Sequence, residues 1–397
     1  MNPAQSRYQH NIVKYFIVTL LNSFWFIMPI YLVYLQRRGI SYLEMGLLES
    51  ITGITILILE IPSGAIADLI GKKWAMFLGF FCWVIGWSFF GWGESLTIFI
   101  LGSIMLGSAE AMYSGAGVSF LYDTLKKMNQ TEQFLPLRGK LLIISSIFLI
   151  CGVLIGNIMY CINASLPWFI QASCLLMASI ITLTMDEPYP SSKRFTIKTQ
   201  IQQMHDAFQH TKKNRVVRIL IIISSVLLLP LTLFVNLMES PYLLTLGYDI
   251  TQLGILFALS RGIIGLLGLK LDKIEHKLGQ RGSLLAVAGI SAMSYLVMAL
   301  FSDKIVFCFI LLLFIARDYR SVVIEKYINE IVPTETRASI FSIQGATFNS
   351  IYMVGALLVG SFLSIWTFQI ILLLFSVWTI IFGWSSIIKY LSWKLQH

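Results

Sequence analysis

The chain has 397 residues, of which 57% are hydrophobic and only 12% are Asp, Glu, Lys or Arg, and its net charge is +9. Soluble proteins carry roughly 25% charged residues, so this composition excludes a soluble globular protein, and it excludes an intrinsically disordered chain as well. The apolar residues suffice for about ten to twelve membrane spans of roughly 20 residues each. Spans of this length must be helices, since a helix satisfies its own backbone hydrogen bonds in lipid.

Turn signals divide the nearly continuous apolar sequence into twelve predicted membrane spans. In chain order the predicted spans are 12–35, 44–67, 74–93, 96–122, 140–162, 166–185, 216–246, 251–271, 283–302, 304–328, 339–364 and 366–390. This pattern predicts an N-terminal six-helix bundle over 1–185 and a C-terminal six-helix bundle over 216–397. The polar segment 186–215 between them predicts a cytoplasmic linker with an amphipathic helix, whose apolar face suits a membrane surface and a protein surface equally well.

The distribution of Lys and Arg predicts that both termini are cytoplasmic. Only Arg37, Arg38 and Lys304 fall in predicted outside loops, and three further arginines fall within spans. The remaining 23 of the 29 basic residues fall in predicted inside loops and tails, where membrane proteins are enriched in Lys and Arg. The basic loops therefore predict contact with anionic lipid rather than with nucleic acid, in a multi-pass protein of the cytoplasmic membrane.

Two loops repeat one pattern, in which Gly-x-x-x-Asp is followed by Gly-x-basic. The first copy runs from Gly64 to Lys73, and the second runs from Gly268 to Arg281. The first copy, with Glu60-Ile61-Pro62-Ser63 before it, resembles the signature between spans 2 and 3 of the major facilitator superfamily. The segment from Pro333 to Ser339 is also similar to bacterial members of that family.

The resemblance implies two parallel six-helix halves and secondary active transport by a monomer. It also implies that Asp68 caps span 11 and latches the outward-facing state, and Lys72 lies four residues from Asp68, close enough to pair. The alternative interpretation is a topology signal with a tight glycine turn. The predicted latch residues are Glu60, Gly64, Asp68, Gly71, Lys72, Lys73, Asp272, Arg281 and Arg337.

Two features depart from the drug/proton antiporters of this superfamily. Those antiporters typically carry an Arg in the middle of span 4 and a Gly-Pro pair in span 5. Here span 4 reads Leu101-Gly102-Ser103-Ile104, and span 5 has Gly152-Val153-Leu154-Ile155-Gly156 without a proline. The departures leave uptake open as an alternative to efflux.

Eight ionisable residues fall within predicted spans, where an unpaired charge costs on the order of 2.5–3.5 kcal/mol. They are Glu49, Glu60, Glu110, Glu239, Arg261, Arg317, Asp318 and Arg320. The first half holds three acids and no base, whereas the second half holds three bases and two acids. The acids of the first half must be neutral, be reached by water, or pair with bases of the second half.

The predicted site is built on these charges and on polar or aromatic residues within spans. We expect Glu110 to be the proton or substrate carboxylate, and Arg261 and Arg317 to bind an anionic group. Amides within a span need an internal partner, and aromatic rings can line a cavity. The further predicted site residues are Asp318, Asn22, Trp25, Tyr113, Asn236, Glu239, Gln344 and Asn349. For the charged residues, structural ion pairing is the alternative.

The sequence lacks the motifs that are typical of other functional classes. The sequence has no Walker loop for an ATP-driven pump, and its five histidines all fall outside the predicted spans, with no His-Glu-x-x-His or Gly-x-Ser-x-Gly motif. The five cysteines fall in apolar runs without metal-ligand spacing. We therefore expect that the protein is not an enzyme and that it binds no metal or cofactor. We expect a proton gradient to be its energy source. The sequence predicts proton-coupled efflux of a small organic molecule; the alternatives are uptake of a metabolite or siderophore-like anion, and a non-transporting sensor.

Overall fold

A computed structural model describes residues 3–189, 214–268, 271–332 and 334–396, and all regular secondary structure in these ranges is helical. The α-helices are α1 Pro3–Ser23, α2 Tyr31–Arg37, α3 Tyr42–Ile70, α4 Lys72–Trp92, α5 Leu96–Lys127, α6 Phe134–Ile162, α7 Leu166–Leu183, α8 Arg215–Leu237, α9 Glu239–Thr245, α10 Ile250–Gly268, α11 Leu271–Leu300, α12 Phe307–Ile331, α13 Thr334–Leu363, α14 Phe368–Trp378 and α15 Ser385–Gln396. Short 3₁₀ turns, Thr131–Gln133 and Lys304–Val306, precede α6 and α12. Helix α11 is kinked at Gly279, whose φ of 63° and ψ of 178° are not helical.

Nine helices in the described ranges are long and apolar enough to cross a membrane. A tenth apolar helix, Ile250–Gly265, is shorter. Helix α12 has 25 residues, enough to cross, but Arg317, Asp318 and Arg320 lie near its middle. These helices confirm the predicted all-α membrane fold, whereas the number twelve and the cytoplasmic termini stay predictions.

The first predicted span is not one continuous helix. Helix α1 ends at Ser23, turns follow, and α2 begins at Tyr31. Pro29 lies in the break and has no N–H with which to continue a helix. The backbone of residues 24–26 packs directly on α6, where a Cβ added to Gly156 would lie 2.5 Å from the carbonyl carbon of Phe26. The break therefore depends on close contact between its backbone and that of α6, which a hydropathy profile cannot show.

The seventh predicted span, 216–246, is broken in the same way. Asn214 caps α8, since its Oδ1 accepts hydrogen bonds from the backbone N–H groups of Val216 and Val217 at 3.1 and 3.2 Å. Helix α8 ends at Leu237, and α9 starts at Glu239. Pro241 has no N–H to donate to the carbonyl of Leu237, and such a missing hydrogen bond weakens the helix at this point.

The last predicted span contains a π-helical segment, Thr379–Trp384, between α14 and α15. Trp378, just before this segment, donates its indole N–H to the carbonyl oxygen of Val226 at 3.1 Å. Because Pro230 has no N–H, the carbonyl of Val226 has no donor four residues on within α8. The tryptophan therefore satisfies a buried acceptor that the proline leaves free.

Contacts divide the chain into two compact units, each of which mixes sequence from both halves. Unit 1 comprises Met1–Tyr34, Ile51–Ile201 and Ile250–Ala258. Unit 2 comprises Leu35–Ser50, Gln202–Asp249 and Leu259–His397. The division of the chain at the predicted linker 186–215 stays a prediction, because most of that segment lies outside the described residues.

Each unit has its own hydrophobic core. In unit 1, α1, α4, α5, α6 and α7 contribute buried side chains such as Tyr15, Phe80 and Phe120. In unit 2, helices α8, α11, α12 and α13 and the C-terminal helix α15 contribute buried side chains such as Val217 and Val323. These cores fix the helices that carry the polar residues described next.

Candidate functional site

A cavity of about 210 Å³ in unit 1 contains four of the predicted site residues. Its lining consists of Asn22, Trp25, Ile27, Trp83, Trp87, Glu110, Tyr113, Gln171 and Leu175. The predicted members are Asn22, Trp25, Glu110 and Tyr113. The sequence interpretation missed Trp83 and Trp87, although their four-residue spacing places both rings on one face of α4.

The break after α1 places side chains in this cavity. Asn22 lies in the last turn of α1, and Trp25 lies just beyond its end. Gln171 on α7 fixes the break, since its Oε1 accepts a hydrogen bond from the backbone N–H of Phe26 at 3.3 Å. Trp25 lines the cavity from the broken segment itself, and so the break is part of the site.

Glu110 faces the cavity from the middle of α5. Its side chain is exposed, although it lies at the centre of a 32-residue apolar helix. No described residue donates a hydrogen bond to its carboxylate or forms an ion pair with it. Tyr113, one turn further along α5, packs against Trp83 with ring centroids 5.2 Å apart. The cavity therefore presents one carboxyl group among aromatic rings, available to a proton or a cation.

A cluster of opposite charges in unit 2 brings together four other predicted residues. Arg317 pairs with Asp318, with its Nε 2.7 Å from Oδ1. The guanidinium groups of Arg317 and Arg261 lie over the ring of Phe314, at 5.3 and 5.7 Å from its centroid. Glu239 is 2% exposed and interacts electrostatically with both arginines. The cluster therefore joins α9, α10 and α12 through charge.

Asn236, another predicted site residue, belongs to a hydrogen-bonded network in unit 2. Its Nδ2 donates to Glu49 Oε2 at 3.1 Å and to the hydroxyl of Tyr352 at 2.8 Å. The hydroxyl of Tyr352 donates to the same carboxylate oxygen at 2.7 Å. The network ties the first turns of α3 to α8 and α13, and it gives Glu49 polar partners that the sequence interpretation did not assign.

A second cavity, of about 300 Å³, lies between α12 and α13 in unit 2. Its lining consists of Arg320, Ser321, Ile324, Glu325, Phe341 and Gln344. Gln344 was a predicted site residue, whereas Arg320 was not. The fourth predicted amide, Asn349, lies half-buried on α13 outside both cavities.

The predicted latch segment forms a tight turn between α3 and α4. Gly71 has a φ of 99°, which disfavours any residue with a side chain. The backbone N–H of Lys73 donates to Glu187 Oε2 at 2.8 Å. Burial raises the pKa of Glu187, and the hydrogen bonds from the backbone at Lys72 and Lys73 offset part of that rise. Lys72 pairs with Asp123 at the end of α5, and neither Asp123 nor Glu187 was predicted.

The structure tests the other latch residues only in part. The side chains of Asp68, Asp272 and Arg337 lie outside the described part of the chain. Glu60 and Gly64 are half-buried on α3, and Arg281 is exposed on α11. The role of these residues in a latch stays a prediction.

The ion pair of the latch segment has a counterpart in the second half of the chain. Lys326 pairs with Glu275, whose Oε1 also accepts a hydrogen bond from the hydroxyl of Tyr327 at 3.0 Å. Both pairs join residues 51 positions apart, and both residues of the second pair follow those of the first at the same offset. The basic and acidic positions are exchanged, so a search for identical residues does not find this repeat.

Within the residues that the structure describes, no three His, Cys, Asp or Glu side chains come together as metal ligands would. The groups that converge are one carboxyl among aromatic rings in unit 1, and paired or buried charges in unit 2. Such groups can bind a proton or a small molecule by charge, stacking and hydrogen bonds.

Comparisons with known proteins agree with this description. The model of the Major Facilitator Superfamily matches residues 15–317. The uncharacterized MFS-type transporter YxaM of Bacillus subtilis is 25% identical over 327 residues, which are 79% of each chain. The quinolone resistance protein NorA of Staphylococcus aureus is 21% identical over 159 residues, 40% of each chain.

The fold is similar to that of the nucleoside transporter NupG, with a TM-score of 0.77 and 16% identity. The similarity covers 97% of this chain and 98% of that one, and at this identity it shows the fold alone. Because the family model matches well over half of the chain, the protein belongs to the major facilitator superfamily and is a multi-pass membrane transporter rather than an enzyme.

Proposed function

We propose that the protein is a proton-coupled exporter of a small organic molecule, with Glu110 as the group that binds the proton. The observation that carries this proposal is the Glu110 carboxyl group in the cavity of unit 1, where no described residue pairs with it. The partial similarity to the quinolone resistance protein NorA supports export as the direction of transport. The protein would act as a monomer in the cytoplasmic membrane, with the proton gradient as its energy source.

The cavity suits a molecule with an aromatic or apolar body and a polar or positively charged group. Trp25, Trp83, Trp87 and Tyr113 offer ring faces for stacking and for cation–π contact. A positive group on the substrate and a proton would compete for the same carboxyl group. Because one site then holds either the proton or the substrate, entry of a proton favours release of the substrate, which couples the two fluxes.

Uptake of an anion is the second candidate function. Arg261 and Arg317 interact with the single buried carboxylate of Glu239, and the pair Arg317–Asp318 accounts for a second acid. Arg320 adds a third guanidinium group, which forms no ion pair with a described residue and whose Nε is buried without a hydrogen bond to the described part of the chain; such a group favours a negatively charged ligand.

The test compares metabolites of cells and medium in three strains that hold an empty vector, the wild type, or Glu110→Gln at equal expression. We expect a compound that is enriched in the medium with the wild type only, and collapse of the proton gradient should abolish that enrichment. Glu132→Gln, on an exposed 3₁₀ turn, is the matched control and should behave as the wild type. A compound depleted from the medium would indicate uptake, and equal transport by Glu110→Gln would remove Glu110 from the site.

A further inference from the structure

Arg320 is a buried charge without a carboxylate partner among the described residues. It is 7% exposed. Its Nη1 donates to the hydroxyl oxygen of Ser224 at 2.5 Å and to the carbonyl oxygen of Ser224 at 3.4 Å. Its Nε is buried and makes no hydrogen bond to the described part of the chain. Asp318, which acts on it electrostatically, is already paired with Arg317.

A buried guanidinium in this state is costly, because the desolvation of the charge is not repaid by an ion pair. A charge within a membrane span that has no structural partner is a candidate for ligand binding. Arg320 also lines the 300 Å³ cavity. The Arg320 side chain therefore borders space that a ligand can occupy.

Gln344 adds an unused acceptor to the same cavity. Its Nε2 donates to the hydroxyl oxygen of Ser224 at 2.7 Å, and its Oε1 is buried without a hydrogen bond to any described residue. Since Arg320 and Gln344 both donate to one oxygen atom, their donor nitrogens lie within about 5 Å of each other. Ser224 thus holds an unsatisfied cation and an unsatisfied acceptor side by side.

Glu325 supplies a negative charge to the same lining. It lies on α12 five residues after Arg320, about 7.5 Å further along the helix axis. A ligand that carried only negative charge would be attracted by Arg320 but repelled by Glu325. A ligand that carried only positive charge would be attracted by Glu325 but repelled by Arg320. The lining is therefore complementary to a molecule that carries both charges.

We propose that Arg320, Gln344 and Glu325 bind the amino and carboxylate groups of a small zwitterion of the amino-acid type. The guanidinium donates two N–H groups to the carboxylate, a geometry for which arginine is suited. Gln344 Oε1 and the Glu325 carboxylate accept hydrogen bonds from the ammonium group. Ile324 and Phe341 provide apolar contact for the rest of the molecule.

The size of the cavity limits the ligand. A volume of 300 Å³ corresponds to that of about ten water molecules in the liquid, so a molecule with about ten non-hydrogen atoms fits. The site lies in unit 2 and does not use Glu110. The inference therefore goes beyond the proposed export, and a binding measurement tests it without reference to direction.

The experiment measures thermal unfolding of the full chain in nanodiscs with three probes of matched shape: L-leucine, 4-methylpentanoate and 3-methylbutylamine. They carry both charges, the carboxylate alone and the amine alone. We expect L-leucine to raise the Tm with increasing concentration, as a ligand of the native state does, and the other two probes to have much smaller effects. No shift with L-leucine, or an equal shift with 4-methylpentanoate, would overturn the proposal.

Variants separate binding from folding. Arg320→Gln should weaken the binding of L-leucine by about 10- to 150-fold, the range for loss of a charged hydrogen-bond partner, and should raise the Tm without ligand because it removes a buried unpaired charge. If Arg320 had only a structural role, its replacement would instead lower the Tm measured without ligand. Arg215→Gln, at an exposed position that starts α8, is the control and should keep the full shift with L-leucine.

Glu325→Gln gives a second test at an exposed position where folding is not at risk. It should reduce the shift with L-leucine and leave the shift with 4-methylpentanoate the same or larger. If Arg320→Gln or Glu325→Gln kept the wild-type response to L-leucine, the assignment of the site would be wrong.

Discussion

Gly156→Ala should destabilise unit 1 far more than Gly139→Ala on the same helix. A Cβ at this position would lie 2.5 Å from the carbonyl carbon of Phe26 and 2.6 Å from its Cα, whereas real Cβ atoms essentially never approach closer than 3.0 Å. The obstacle is backbone, so no side chain can rotate away. The segment 24–26 or helix α6 must therefore move.

Overpacking of a tight core costs typically 1–3 kcal/mol, and contact with backbone places this case at about 3 kcal/mol. For a unit of this size, 1 kcal/mol corresponds to about 2–4 °C in Tm, so Gly156→Ala should lower the Tm by about 6–12 °C. The displaced segment carries Trp25 and the N–H of Phe26 that bonds Gln171. The variant should therefore also perturb the Glu110 cavity.

The assay is thermal unfolding in nanodiscs, followed by tryptophan fluorescence. Gly139→Ala is the matched control, since Gly139 lies on the same helix with no atom within 4 Å of its added Cβ. Alanine there should stabilise by about 0.5–1 kcal/mol, the difference in helix preference. If Gly156→Ala unfolded at the temperature of the wild type or above, the close contact between α6 and the break after α1 would be refuted.

Two further predictions concern the latch segment. Lys72→Glu alone should lower the free energy of unfolding by about 1–3 kcal/mol, since the side chains of Lys72 and Asp123 are only 24% and 20% exposed. Asp123→Lys in the same chain should restore most of the unfolding temperature. Failure of that rescue would contradict the ion pair. The raised pKa of Glu187 means that its contribution to stability is full at low pH and falls as pH rises through the folded-state pKa. Glu187→Gln should remove that loss, which a pH series of Tm values measures, and an unchanged pH profile would contradict it.

Sequence reasoning predicted the all-helical membrane fold, because periodicity and hydropathy carry that information. It placed the apolar helices, and it selected Asn22, Trp25, Glu110 and Tyr113, which the structure brings into one cavity. Asn22 and Glu110 are polar residues in apolar runs, and such residues need an internal environment. The cavity follows from the few places where the chain departs from an apolar pattern.

The sequence analysis missed the breaks in the first and seventh predicted spans. A hydropathy profile averages side-chain hydrophobicity over a window and carries no information on backbone conformation. Pro29 and Pro241 were the local signals. A break also needs a partner surface, which Gly156 supplies in unit 1 from more than 120 residues away along the chain. No local pattern reports a contact at that separation.

The assignment of the arginines needed the structure for a similar reason. Arg261, Arg317 and Arg320 look alike in sequence, because each is a base within an apolar segment. Their difference lies in partners from other helices: Glu239 and Asp318 act on the first two, whereas Ser224 and Gln344 accompany Arg320. Which arginine is free to bind a ligand is therefore a property of the packing.

The two ion pairs at matching positions of the repeat show how such a contact can persist while its residues change. The Coulomb energy of a pair depends on the product of the two charges, so exchange of base and acid leaves it the same. Lys72 with Asp123 therefore joins the start of α4 to the end of α5, and Glu275 with Lys326 joins the part of α11 before its kink at Gly279 to the end of α12. The single loss of either partner leaves an uncompensated charge, whereas the exchange of both does not. An internal repeat of this kind is best detected by comparing pairs of positions for opposite charge, because comparison of single positions registers each exchange as a mismatch.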